Sequence, residues 1–269
     1  MNRLLILPVL LLTLLVGTPA SSADFQKGLT AAQSGDFATA LREWKPLAKQ
    51  GNAVAQFSLG LMYDNGEGVP QNYKTAVKWY KLAAEQGYDG AQYLLGDLYA
   101  NGKGFPRNYK TAVKWFKLAA KQGLAGAQNN LGWMYKNGKG VSQNYKTAMK
   151  WYRLAAKQGH AGAQNNLGTM YEYGRGVPQD YKAAVKWYRL AAEQGNASAQ
   201  GNLGVKYAFG LGVLKDYVYA HMWGNIAATN GNKLGAKLRD AFEKKMTPAD
   251  ISAAQKLARE CVRKKYKGC

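Results

Sequence analysis

Histidine and cysteine are nearly missing from this chain, with two of each in 269 residues. His160 and His221 lie far apart, so no paired imidazoles mark a metal centre or an acid–base couple. The acids are also scarce: 16 carboxylates against 37 Lys and Arg, spread singly, for a formal net charge of +21. No Ser–His–Asp or Cys–His constellation emerges, and nothing resembles a cofactor-binding or metal-binding pattern. The scarcity therefore argues against an enzyme.

What the chain does have is apolar and aromatic content, 47% and 12%, far from a disordered composition. One long apolar run stands at the start. Asn2 and Arg3 lead into Leu4 to Leu11, continued by Leu12, Leu14, Leu15 and Val16, and small residues "TPASSA" end at Ala23. This pattern predicts a secretory signal over 1–23, cut after Ala23 or alternatively Ala20, and too short for a stable transmembrane helix. No transmembrane segment is expected after cleavage, and the mature chain is expected in the bacterial periplasm or secreted. The basic excess would ordinarily suggest nucleic acid. Export argues against nucleic acid and leaves acidic proteins, anionic envelope polysaccharide or lipid headgroups as partners.

The dominant feature is repetition. "NYKTAVKWYKLAAEQG" from Asn72 returns as "NYKTAVKWFKLAAKQG" from Asn108, "NYKTAMKWYRLAAKQG" from Asn144 and "DYKAAVKWYRLAAEQG" from Asp180. Gly51, Gly87, Gly123, Gly159, Gly195 and Gly231 recur every 36 residues and bound five units, 51–86, 87–122, 123–158, 159–194 and 195–230. A fixed period of this size signals a solenoid, whose units bury their apolar faces only against their neighbours.

Each unit reads as two helices. In the second, Asn72, Asn108, Asn144, Asp180 and Asp216 suit the N-cap, and the closing glycine suits the C′ position. Ala76, Trp79, Tyr80 and Ala83 share one arc and predict core, while Lys74, Lys78, Lys81 and Glu85 face water. The first helix runs from about Ala53 to Asn65 before a glycine-rich turn. Along it Ala55, Gln56, Leu59, Gly60 and Tyr63 are identical in all five units, and positions 54, 57, 58, 61, 64 and 65 vary on the opposite arc. A mid-helix glycine costs about 1 kcal/mol against Ala, so Gly60 predicts a close helix approach. Identity is expected where units pack, and variety where a partner could be read.

The pattern "AQxxLGxxYxxGxGVxxxYxxAxxWYxxAAxQG" across units one to four resembles the Sel1-like repeat, a relative of the tetratricopeptide repeat with a longer turn between its helices. The resemblance implies an all-α, right-handed solenoid in which the first helices line a concave surface and the second helices form the convex back. Residues 24–50 resemble a tetratricopeptide-like N-terminal cap. Residues 231–269 read as a C-terminal helical cap, with Thr247 as N-cap and Pro248 at N1 of a last helix. The resemblance also implies a non-catalytic scaffold that binds a protein or peptide. Some cysteine-rich relatives are described as β-lactamase-like or penicillin-binding, but here no repeat holds a cysteine. None of Ser34, Ser58, Ser142, Ser198 or Ser252 begins an S-x-x-K.

Three sets of residues are therefore candidates. The variable arc carries Phe57, Leu61 and Asp64 in unit one, Tyr93, Asp97 and Ala100 in unit two, Asn129, Trp133 and Lys136 in unit three, and Asn165, Thr169 and Glu172 in unit four. Trp133 is the expected anchor, with packing against an adjacent helix as the other reading. A basic ridge of Lys74, Lys78, Lys81, Lys110, Lys114, Lys117, Lys121, Lys146, Lys150, Arg153, Lys157, Lys182, Lys186 and Arg189 is either a solvated back or a polyanion-binding surface. Cys261 and Cys269 are expected to form a disulfide after export, the alternatives being free thiols or an intermolecular link. His160 is expected to be a solvated loop residue and His221 partly packed.

Overall fold

The computed structural model describes residues 19–269. The expected signal at 1–23 lies outside this range up to residue 18, and Ala23 falls inside the first helix. Fourteen α-helices and no strand occur among the described residues.

The chain divides into two units, ending at Gln122 and beginning at Gly123. The first holds α1 (Pro19–Gln33), α2 (Phe37–Lys49), α3 (Ala53–Asn65), α4 (Tyr73–Glu85), α5 (Asp89–Asn101) and α6 (Tyr109–Lys121). The second holds α7 (Ala125–Asn137), α8 (Tyr145–Lys157), α9 (Ala161–Glu172), α10 (Tyr181–Ala192), α11 (Ala197–Phe209), α12 (Tyr217–Thr229), α13 (Lys233–Glu243) and α14 (Pro248–Arg263). Within each unit every helix packs on the next up to α13, and α14 packs back on α12. The fold is an all-α repeat solenoid.

The caps form as the residue types dictate. Asn72, Asn108 and Asn144 accept from the backbone N–H three residues on, at 2.8–3.0 Å, and Asp180 and Asp216 do the same at the next two second helices. Thr247 and Asp250 close a reciprocal capping box at the start of α14.

The identical residues serve two contacts. A Cβ on Gly60 would stand 2.4 Å from the Tyr80 ring, and on Gly96, Gly132 and Gly168 it would stand 2.7 Å from Phe116, Tyr152 and Tyr188. The glycine is thus a seat for the aromatic ring of the following helix. Gly28 seats Trp44 in the same manner in the α1–α2 pair. In the fifth repeat Gly224 replaces the aromatic, and the vacated place admits α13, whose Arg239 backbone comes within 3.1 Å of where a Cβ would stand.

The second contact is a glutamine ladder. Gln56, Gln92, Gln164 and Gln200 are buried, and each donates to a carbonyl at the end of the preceding helix pair, Ala48, Ala84, Ala156 and Ala192, at 3.0–3.2 Å. Each also accepts from the amide that ends its own repeat, Gln86, Gln122, Gln194 or Asn230, at 2.7–2.9 Å. The invariant glutamine and the amide that closes its repeat therefore satisfy each other and stitch one repeat to the last.

The chain ends on a local clasp. The Cys261 and Cys269 sulfurs lie 2.17 Å apart, with Cα atoms at 5.7 Å. Between them Lys265 and Tyr266 adopt left-handed backbone, at φ 52° and 66°. Tyr266 donates to Asn230 Oδ1 at 3.1 Å, and its ring lies against Gly195.

Candidate binding face on the first helices

The structure divides the variable arc. In the first unit Phe57 packs inward, its ring 5.8 Å from Tyr80 and 4.8 Å from Tyr88, and Leu61 lies against the same cluster. Tyr93 meets Phe116 at 6.0 Å, and Asp97 accepts from Asn101 at 2.9 Å. In the second unit Asn129 and Asn165 accept from Asn166 and Asn202, both at 3.0 Å, which ties successive first helices together. Much of the arc thus belongs to packing between repeats, because side chains at 57 and 58 lie where adjacent first helices meet. Trp133 is the exception: it is 40% exposed on α7.

Positions 64 and 80, which lie sixteen residues apart, form a side-chain pair that the sequence alone does not reveal. In repeat one the Tyr80 hydroxyl donates to Asp64 Oδ2 at 3.2 Å. In repeat four Tyr188 donates to Glu172 Oε2 at 2.5 Å and meets Thr169 Oγ1 at 3.2 Å. Burial pushes both phenols up, so both remain protonated donors. Burial also raises the Asp64 carboxyl, against the lowering effect of the Tyr80 hydrogen bond. In repeat two both partners disappear together, with Phe116 and Ala100 in their places, and repeat five has Gly224 and Ala208.

Repeat three breaks the pairing. Tyr152 keeps its hydroxyl, but the carboxylate position is Lys136, and the Tyr152 Oη is buried with no hydrogen-bond partner among the described residues. Burial pushes this phenol up as well. Lys136 is partly buried, and desolvation, helped by the positive charge of Arg175, lowers its amine. Arg175 itself lies over the Tyr145 and Tyr173 rings at 5.8 and 5.2 Å.

Glu172 has a second partner. Lys206 stands where the other repeats have Met or Leu, is 1% exposed, and forms an ion pair with Glu172, its ammonium over the Tyr181 ring at 5.5 Å. Glu172 and Thr169, expected as reading residues, are thus engaged in an internal network.

All fourteen cations of the basic ridge are exposed. Leu82 and Leu118 in the first unit, and Leu154 and Leu190 in the second, are exposed beside them. The two histidines depart from expectation. His160 is the N-cap of α9, its Nδ1 accepting from Ala163 N–H at 3.1 Å, so it is half-buried rather than a solvated loop residue. His221 is fully buried, its Nε2 3.6 Å from Glu243 Oε2, in a cleft shared with Asn225, Arg239, Gln255 and Arg259. The docking of α13 and α14 over α12 encloses it. No group of three or more His, Cys, Asp or Glu poised for a metal ion occurs among the described residues. Among them, no helix is long and apolar enough to cross a membrane.

Comparison with known proteins gives a consistent picture. The Sel1 repeat family model matches residues 53–88, 90–124, 125–160, 161–196 and 197–232. Each match after the second begins at the first residue of a first helix, two residues beyond the glycine-bounded units. A protective antigen present in uropathogenic Escherichia coli strains, displaying an SLR fold, is similar at 34% identity and TM-score 0.82, over 91% of this chain. This chain spans 58% of that antigen's length. A Sel1 repeat protein from Oxalobacter formigenes is similar at 34% identity and TM-score 0.78, over 87% of this chain and 96% of its own. No curated protein matches the chain.

Proposed function

Because the chain belongs to the Sel1 repeat family, we propose that it is a non-catalytic scaffold, exported to the bacterial envelope, that holds a protein or peptide partner on the face of its first helices. Sel1 repeat proteins are generally protein-interaction scaffolds. The observation that carries the reading here is Trp133, a large aromatic left 40% exposed on α7. Such a side chain offers a rigid apolar area that a partner can bury. Export is supported by the signal pattern at 1–23, and an oxidising compartment would keep Cys261 and Cys269 bonded.

The test is capture from envelope extract with the mature protein and its Trp133→Ala variant. The expected outcome is a defined protein retained at high salt and lost with the variant, whose thermal midpoint stays within a degree or two of the parent. Capture indifferent to Trp133 would overturn the reading.

A second reading has an observation of its own. The fourteen ridge cations are exposed, and among the described residues none forms a short-range ion pair except Lys81, 3.7 Å from Glu85. That surface suits anionic envelope polysaccharide or lipid headgroups. Binding of this kind should weaken steeply between low and high salt, and salt-independent retention would reject it.

A further inference from the structure

We propose that repeat three holds a carboxylate-binding site, in which Tyr152, Lys136 and Arg175, beside Trp133, receive an aspartate or glutamate side chain from the protein partner. The inference rests on the scaffold reading above and names the chemistry of what the first-helix face accepts.

The argument is a comparison within one chain. Where position 64 or its equivalent is a carboxylate, the tyrosine sixteen residues on donates to it, in Tyr80–Asp64 and Tyr188–Glu172. Where the carboxylate is absent in repeats two and five, the hydroxyl is absent too. Repeat three alone keeps the donor without its acceptor. A buried hydroxyl with no partner costs about 1–3 kcal/mol, and Phe, which stands at this position in repeat two, would remove that cost. Tyr152 is buried to the same extent as Tyr188 and seated on Gly132 as Tyr188 is on Gly168, so its hydroxyl is aimed at the same place.

The charges around that place are reversed. Lys136 occupies the carboxylate position, and Arg175 is near enough to shift it. A carboxylate entering there would answer the positive charge of Lys136 and Arg175 and supply the acceptor that the Tyr152 hydroxyl lacks. A carboxylate fits because the same place already takes one from the chain itself in repeats one and four, on the same hydroxyl. The Lys136 stem is flexible enough to swing aside and let the group in, and Trp133 covers the adjoining backbone position, where repeat four has Thr169.

The full chain, titrated with fluorescein-labelled hexaglutamate and with hexaglutamine by anisotropy, supplies the test. Overall positive charge will attract hexaglutamate elsewhere, so the comparison is among variants. Tyr152→Phe changes no charge and should weaken hexaglutamate binding about tenfold, the worth of one hydrogen bond to a charged group. Lys136→Glu should weaken it more and also raise the thermal midpoint, because it rebuilds the Tyr188–Glu172 pair in repeat three. Lys256→Glu, an equal charge change on α14, should do neither. Equal affinities for parent and Tyr152→Phe, or a Lys136→Glu variant with no gain in midpoint, would overturn the proposal. If hexaglutamate ignores Tyr152 while partner capture still needs Trp133, the carboxylate site fails and the scaffold reading stands. If capture also ignores Trp133, the scaffold reading fails with it.

Discussion

Gly60 shows what a single residue does in this architecture. Substituting Ala would favour the helix by about 1 kcal/mol, yet its Cβ would sit 2.4 Å from the Tyr80 ring. Overpacking of this kind costs about 1–3 kcal/mol. Gly60→Ala should therefore lower the urea midpoint, and an increase would show that the ring relaxes freely. Lys206 gives the opposite case. Removing its partner with Glu172→Ala leaves a buried charge uncompensated and should cost about 3–5 kcal/mol. Lys206→Met, which copies the Met found here in repeats one, three and four, should be neutral or stabilising. Urea unfolding of both variants checks the pair, and equal losses would reject the buried ion pair. Histidine contributes to the acid response near neutral pH. Burial lowers both His160 and His221 from 6.5, with Glu243 partly opposing it at His221. The unfolded chain then takes up protons first, so stability is whole above pH 6.5 and falls as pH drops through the lower folded values. His160→Asn keeps the N-cap, as Asn52 and Asn196 do, and should remove part of that fall in a pH series of urea midpoints.

At the scale of the helix, the invariant words of the repeat resolve into two contacts, an aromatic ring on a glycine and an amide on an amide. Gln164 accepts from Gln194 at 2.7 Å and donates to Ala156 O at 3.2 Å. Gln164→Leu should cost about 1–3 kcal/mol by stranding both partners. Gln164→Glu cannot replace it, because an ionised carboxylate has no N–H for the carbonyl. Thermal denaturation of the two variants, both losing stability, is the expected result; an unchanged Leu variant would mean that the ladder contributes little. Helix limits and N-caps were legible in the sequence because they depend on local chemistry: the reading of Ala53 to Asn65 coincides with α3. The partner of Gly60 was not legible. The sequence announced a close approach, but which ring fills it depends on how the second helix folds back.

For the whole molecule, repetition explains both the fold and the difficulty of locating function. Four near-identical second helices carry the basic ridge, so it looks much the same in repeats one to four and marks no single site. Distinction arises where the repeats disagree with one another, at Trp133, Lys136, Lys206 and Gly224. The ends carry different constraints. Gly224 admits α13, and the clasp at Cys261 and Cys269 closes a short loop over Tyr266. Replacing both cysteines with serine should lower stability by about 2 kcal/mol, seen as an earlier thermal midpoint under oxidising conditions and as no difference in reductant.

The period, the helix pairs, the caps and the family were determined by the sequence itself. They rest on local rules, 3.6-residue periodicity and capping chemistry, and the chain states each of them five times over. Only the tertiary structure decided which variable positions are free. Phe57, Asn129 and Glu172 lie on the same arc as Trp133, yet they are occupied by neighbours that approach from other helices. The unmatched hydroxyl of Tyr152 belongs to the same class, because a hydrogen bond has meaning only once the chain has brought its two ends together.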